Sequence, residues 1–216
     1  MKMFLPFLAV AVLATAARAD LTITQKVQQG AQPEADLTVT MKIKGQKMRM
    51  DATPKVSTII DLKSGDMQNL MHDQKMVMTV PGALIKSLQQ AAAPADAGPP
   101  AVPQPTGNKE TISGFACEEY TLTSHGAKVS VWLTKDLPAA QKAMSEVAAI
   151  SPDNDPFQAA LHGQKFDGFP MRTVIETPGV GKTTMTVVAV NEGPLPDADF
   201  SVPSGYKTMQ MPSLPR

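Results

Sequence analysis

The stretch Leu37-Thr-Val39-Thr-Met41-Lys-Ile43-Lys44 alternates apolar and polar residues without a break. A period of two places every apolar side chain on one face of a β-strand. Gly45-Gln46 follows, a Gly-X pair suited to a two-residue type II′ hairpin turn. The chain then returns as Lys47-Met48-Arg49-Met50-Asp51-Ala52. Closing the hairpin at 45–46 sets Ile43 opposite Met48, Met41 opposite Met50 and Val39 opposite Ala52. All six then share one face. Thr38, Thr40, Lys42, Lys44, Lys47, Arg49 and Asp51 share the other. A slip of one residue would mix the two faces, so the register is specified. This hairpin demands a sheet with one buried face, and it constrains everything that follows.

The same signals continue. Val56 to Leu62 reads as a strand before a turn at Ser64-Gly65. Met67–Met71 and Lys75–Val80 flank a polar turn at Asp73-Gln74. Strands this closely spaced, with no helices between them, form an antiparallel meander and not parallel βαβ units. Leu84, Ile85, Leu88, Ala91 and Ala92 have helical spacing, which predicts a short amphipathic helix over 82–92. Residues 93–107 are rich in Ala and Pro and nearly uncharged, the composition of a flexible insertion. Sheet resumes near Thr111, with a hairpin of 116–124 and 127–134 about His125-Gly126. Asp136 and Pro138 open a helix whose stripe is Leu137, Ala140, Met144, Val147 and Ala148. Asp155-Pro156 opens a second helix, closed at Gly163. Strands at 171–176 and 182–190 follow, then an extended tail over 200–212. The reading is an α+β chain: one antiparallel-sheet domain over 20–216 with a few helices.

The N-terminus bears on compartment. Phe4 to Ala16 is apolar, follows a single Lys2, and precedes Ala17-Arg18-Ala19. That is the pattern of a secretory signal peptide over 1–19 cleaved after Ala19, so a periplasmic or secreted protein of a bacterial envelope is expected. The run is too short for a membrane span, and no second long apolar run exists, so the chain is not expected to span a membrane. Removing 1–19 takes away Lys2 and Arg18 and no acid, leaving 18 basic against 20 acidic side chains. Without a basic excess to neutralise phosphates, nucleic-acid binding is disfavoured. The single cysteine, Cys117, has no intramolecular partner and reads as buried and inert.

Thr177-Pro-Gly-Val-Gly181-Lys182-Thr183 imitates a phosphate-binding loop. That loop needs Gly-x-x-x-x-Gly-Lys-Ser/Thr. The first glycine position is Glu176, which would set a carboxylate beside the phosphates. Thr183 to Val190 has strand rather than helix character. No nucleotide is expected, and Lys182 should stand exposed at a strand start. His72, His125 and His162 lie on separate elements, and no paired Cys or carboxylate ladder marks a metal site. Glu118 and Glu119 are adjacent, so on a strand they point to opposite faces. No nucleophile–base set stands out, and neither cofactor nor enzyme activity is expected.

Methionine is abundant, with 14 residues. Met48-x-Met50, Met76-x-Met78 and Met209-x-Met211 each place two thioethers on one strand face. The face made by Val39, Met41, Ile43, Met48, Met50, Met76 and Met78 admits three readings. It is packed core, the adaptable lining of an apolar-ligand site, or a soft donor set for Cu(I).

The order of motifs adds a resemblance. "MKIKGQKMRMD" followed by "STIIDLKSGDMQNLMHDQKMVM" resembles exported bacterial proteins of the LolA/LolB/RseB-like lipoprotein-carrier superfamily. "TISGFACEEYTL", "VSVWLTKDLP", "GFPMRTVIE" and "FSVPSGYKTM" resemble an uncharacterised exported family assigned to it. The likeness covers nearly all of 20–216. It implies an antiparallel sheet forming an incomplete (half) barrel wrapped over a few helices, with an apolar concavity that holds acyl chains in the carriers. The functional expectation is a binding or carrier-like protein for an apolar, lipidic ligand. The alternatives are an envelope protein–protein interaction or sensor domain, and Met-based Cu(I) handling.

Overall fold

A computed structural model describes residues 20–30, 36–92, 102–124, 126–148, 168–179 and 181–209. The expected signal peptide, the second predicted helix (155–163) and most of the expected insertion lie outside them. The first seven elements are β1 (Leu21–Gln29), β2 (Leu37–Lys44), β3 (Lys47–Thr53), β4 (Val56–Asp61), β5 (Met67–Met71), β6 (Met76–Val80) and α1 (Gly82–Ala92). Then come β7 (Gln104–Ile112), β8 (Phe115–Ser124), β9 (Ala127–Thr134), α2 (Pro138–Ala148), β10 (Phe169–Thr177), β11 (Gly181–Glu192) and β12 (Lys207–Met209). All the strands join one sheet in the order β12-β6-β5-β4-β3-β2-β1-β11-β10-β9-β8-β7. Its two ends do not pair with each other, so the sheet is open. Every neighbouring pair is antiparallel except β12 on β6.

The sequence-derived register holds at the first hairpin: Ile43 faces Met48 and Met41 faces Met50. Gly45 carries the positive φ (56°) that the turn requires. The ladder stops at Thr40 opposite Asp51, so Val39 does not face Ala52. Val39 pairs instead with Gln25 of β1. β1 itself has no counterpart in the sequence reading, yet it joins the two halves of the sheet, lying between β2 and β11. The sheet also resumes earlier than Thr111. Residues 104–107, at the end of the expected insertion, belong to β7, an exposed edge strand interrupted by a register shift between Pro105 and Lys109. Pro and a bulge blunt an edge that could otherwise pair with another chain.

The sheet curls. The Ser113 hydroxyl, at the β7–β8 turn, donates to the Val187 carbonyl on β11 at 2.8 Å, across β8, β9 and β10. Arg172 on β10 stacks over Trp132 and reaches Glu110 on β7, with Nη1 within 2.9 Å of both carboxylate oxygens. α2 lies against β10. Its stripe of Leu137, Ala140, Ala143, Met144 and Val147 joins one core with Leu21, Ile23, Met41, Ile43, Met48, Ile60 and Met171. This is the open half-barrel over a helix that the sequence reading implies, in α+β form.

α1 starts at a tight crossing. The Gly82 amide donates to Asp66 Oδ1 at 2.8 Å, satisfying one of the helix's orphan donors. A Cβ on Gly82 would overlap the Ser64 carbonyl oxygen and come within 2.7 Å of the Gly65 carbonyl carbon. Alanine normally stabilises a helix by up to about 1 kcal/mol over glycine. Here the sign reverses. Gly82→Ala is expected to destabilise the protein by about 2 kcal/mol, because backbone and not a flexible side chain must give way. Urea denaturation checks this, and a stabilised variant would refute the close approach.

Candidate functional site

The structure brings only part of the expected apolar face together. Met41, Ile43 and Met48 are buried in the core cluster, beneath α2. Val39, Met50, Met76 and Met78 are half-buried. Met50 faces Thr58, Thr58 faces Asn69, and Asn69 faces Met78. Three strand spacings therefore part β3 from β6, about 14 Å. The pairs Met48/Met50 and Met76/Met78 cannot share one copper ion. Met209 instead lies beside Met78 through the β12–β6 pairing.

The opposite face of the same strands holds a polar network absent from the sequence reading. Arg49 and Asp51 alternate with the core methionines on β3, and the β3–β4 register sets Asp51 beside Ser57. Arg49 Nε donates to Asp51 Oδ1 at 2.7 Å, and its Nη2 donates to Ser57 Oγ at 2.9 Å. Ser57 Oγ donates to the same Asp51 oxygen at 2.5 Å and lies 2.7 Å from His72 Nε2. His72 Nδ1 lies 2.6 Å from the hydroxyl of Tyr206. An open hollow of about 530 Å³ runs alongside, lined in part by Thr38, Thr40, Arg49, Asp51, Ser57 and His72.

Acid, alcohol and imidazole in contact invite comparison with a hydrolytic triad, but their order differs. A triad places the imidazole between acid and alcohol, so that it can take the alcohol's proton. Here the serine stands in the middle. Asp51 holds the Arg49 ion pair through Oδ1, so it accepts and Ser57 donates. The lone pairs of Oγ then receive Arg49 and the Nε2–H of His72, leaving Nδ1 to accept from Tyr206. Ser57 is 2% exposed and its hydroxyl is fully used. The chain Tyr206→His72→Ser57→Asp51 is a relay of hydrogen bonds that ties residue 206 to the sheet.

Residues 195–209 cross this face as a strap. A 3-10 turn over Asp197–Phe200 opens it. Lys42 Nζ bonds Asp199 Oδ2 at 2.8 Å, and Lys44 Nζ bonds Asp197 at 2.8 Å. Lys44 also reaches the Leu195 carbonyl, Lys47 the Phe200 carbonyl and Arg49 Nη1 the Asp199 carbonyl. The hydrogen bond to Asp197 raises the Lys44 pKa, and the same contact lowers that of Asp197. Beyond the turn, Val202 and Tyr206 cover Ile59, Leu70 and Val77. β4 is therefore buried on both faces: Ser57, Thr58, Ile59 and Ile60 are each at most 9% exposed.

Other singled-out residues resolve simply. Cys117 is 2% exposed and its Sγ donates to the Phe115 carbonyl at 3.4 Å. Burial pushes its thiol pKa up, which keeps it protonated and unreactive. Glu118 pairs with Lys109, while Glu119 accepts from Thr106 and Asn108. Among the described residues no group of His, Cys, Asp and Glu could hold a metal ion. Lys182 does stand at a strand start, facing Glu176 across the β10–β11 ladder at 3.9 Å with 58% of its side chain exposed. Such pairs contribute little. Lys182→Ala should change stability by less than about 0.5 kcal/mol in thermal denaturation.

An open, curled antiparallel sheet closed on one face by α2 and on the other by a C-terminal strap defines the protein class. The chain belongs to the family described as "Domain of unknown function (DUF4412)", whose model matches residues 22–206. It is similar to MucB in the crystal structure of MucB in complex with MucA(peri). The identity is 11% and the TM-score 0.46, over 89% of this chain and 57% of that one. It is similar to PNGF-II at 13% identity and TM-score 0.44, over 90% of this chain and 31% of that one. It is also similar to the LolA superfamily protein NE2245 from Nitrosomonas europaea, at 14% identity and TM-score 0.33, over 85% of this chain and 89% of that one. The chain thus spans about a third of the PNGF-II chain and somewhat over half of the MucB chain. Similarity at these identities concerns the fold. No curated protein matches the sequence. Among the described residues no helix is long and apolar enough to cross a membrane.

Proposed function

We propose that the chain is an exported, non-enzymatic binding module that takes an apolar, lipidic ligand between the core face of its sheet and α2. One observation carries the reading: methionines crowd this sheet–helix interface. Met41, Met48 and Met171 are buried there, and Met67 and Met144 pack against them. Thioether side chains repack around a guest at low cost, which branched residues do not. Ile43 would form the rest of the floor. Val39, Met50, Met76 and Met78, half-buried on the flanking strands, would form the rim that an acyl chain meets first. α2 would move as the cover, since its stripe meets the face through apolar side chains.

The magnitudes are workable. Burying a twelve-carbon chain is worth about 10 kcal/mol gross, at about 0.8 kcal/mol per CH₂. Association costs at least about 4 kcal/mol of this, leaving a dissociation constant of tens of micromolar or weaker. The test is a titration of purified residues 20–216 with a dansyl-labelled undecanoic acid. Native mass spectrometry of the same protein drawn from envelope extracts accompanies it. Saturable fluorescence enhancement, competed by unlabelled lauric acid, is the expected result. Consistently ligand-free protein with no saturable enhancement would sink the reading.

A further inference from the structure

The structure assigns a second binding surface, on the face of the sheet away from α2: a site for an extended acidic peptide, occupied in the resting chain by its own residues 195–209. Like charges face each other across the β2–β3 ladder. Lys42 stands directly opposite Arg49, and Lys44 directly opposite Lys47. Like charges opposed across a strand pair repel, and a sheet gains nothing by stacking two such pairs in succession. The arrangement becomes favourable only when anions lie over it. In the structure they do: Asp199 meets Lys42, Asp197 and Asp20 meet Lys44, and Asp51 meets Arg49, so the strap supplies two of the four carboxylates.

The four cations read more than charge. Lys44, Lys47 and Arg49 also bind the backbone carbonyls of Leu195, Phe200 and Asp199. Carboxylates two residues apart together with main-chain carbonyls are features of a peptide, which a free anion lacks. Past the acidic pair, Val202 and Tyr206 fill the patch of Ile59, Leu70 and Val77, and the Tyr206 hydroxyl meets His72. The surface therefore selects Asp-x-Asp followed by apolar residues, ending on an aromatic hydroxyl.

The present occupant is held in an exchangeable way. The Asp197 side chain is 93% exposed, and β12 contributes only three paired residues, parallel, at the end of the sheet. A competing acidic segment can take the Lys44 contact first and then displace the strap from its acidic end. Its departure would also free the edge of β6 for main-chain pairing, as in β-strand addition. This surface is independent of the apolar site beneath α2, so either can fail without the other.

The test uses the full chain with the substitutions Asp197→Asn and Asp199→Asn, which loosen the strap at solvent-accessible side chains. Two fluorescein-labelled peptides are the probes. One is residues 195–209 of this chain, and the other carries only Asp-Ala-Asp-Phe within a Gly-Ser sequence. Fluorescence anisotropy should show the loosened chain binding both peptides about 10-fold more tightly than the unaltered chain, for two partly exposed ion pairs lost in cis. Binding should weaken as salt rises from about 50 to about 500 mM. It should vanish when Lys42→Gln and Lys44→Gln are added. Asn in place of both Asp residues of either peptide should abolish its binding. Equal binding by the two chains, or binding indifferent to Asp→Asn in the peptide, overturns the proposal. Capture of the 195–209 peptide alone also overturns it, since the strap would then be a purely internal brace. A concentration-dependent dimer in light scattering, with no peptide bound, overturns it in favour of a second copy exchanging straps. Should the double substitution unfold the chain, Asp197→Asn alone serves, and absence of any gain in that folded variant is equally decisive against it.

Discussion

Replacing Ile23 by alanine is expected to destabilise the protein by about 4 kcal/mol, near the upper part of the range for a fully buried branched side chain. Ile23 is 0% exposed and sits on β1, the strand that joins the two halves of the sheet. It stands between Met41 on β2 and Val190 on β11, and belongs to the cluster that α2 covers. The truncation leaves a void with strand neighbours on both sides, which main-chain pairing prevents from collapsing. For a chain of this size about 4 kcal/mol corresponds to a fall in Tm of roughly 8–16 °C. Differential scanning calorimetry measures it. A loss below about 1 kcal/mol would mean that the site relaxes and that the two halves are less dependent on β1 than the topology implies.

Arg49→Met is expected to cost about 2 kcal/mol and to loosen the strap. The guanidinium bonds Asp51, Ser57 and the Asp199 carbonyl at once. Removing one member of a fully buried pair costs more, but the Arg49 and Asp51 side chains keep 16% and 28% exposure, so water screens part of the loss. Asp51 would keep only the Ser57 hydroxyl among the contacts shown. Two readouts separate charge from packing. Arg49→Lys keeps the charge but loses the planar fork that serves three acceptors, so it should fall between the native chain and Arg49→Met. Limited proteolysis should cut within 193–209 faster in Arg49→Met. Unchanged cleavage would show that the strap is held by Val202 and Tyr206 and not by the ladder of charges.

How much of this was legible follows from what a strand's alternation encodes. It states which face a side chain takes, so Met41, Ile43, Met48 and their register were readable from the hairpin alone. It does not state what covers that face. Thr38, Lys42, Arg49 and Asp51 read as one polar face, but a segment about 150 residues away lies across much of it. Ser57 and His72 are set close by the β4–β5 ladder, where Val56 faces Met71, and the tail that lies over them carried as local signals only Phe200, Val202 and Tyr206 among prolines. One clue lay in β4. Val56-Ser-Thr-Ile-Ile60 lacks alternation, which is what burial on both faces produces. β1 was missed because its apolar signal, Leu21 and Ile23, gives way to Gln25 and ends before Gln28-Gln29. The α2 stripe was readable because helical spacing repeats over three turns. The candidate apolar site was legible as a face and not as a cavity, since side-chain packing decides the latter.

The pairing of β1 with β11 carries a temporal consequence. Leu21 and Glu192 are neighbours in the sheet but about 170 residues apart in the chain. Closing so long a loop must precede any reward from the contacts it brings, so this join is entropically late and kinetically slow. The hairpins on either side can form as soon as their own residues are available. A chain delivered from its N-terminus onward would hold two unjoined half-sheets, with the facing edges of β1 and β10 unpaired, until residues 181–192 arrive. Such a molecule stays loosely folded throughout its delivery. That is a window in which unsatisfied strand edges need protection from one another.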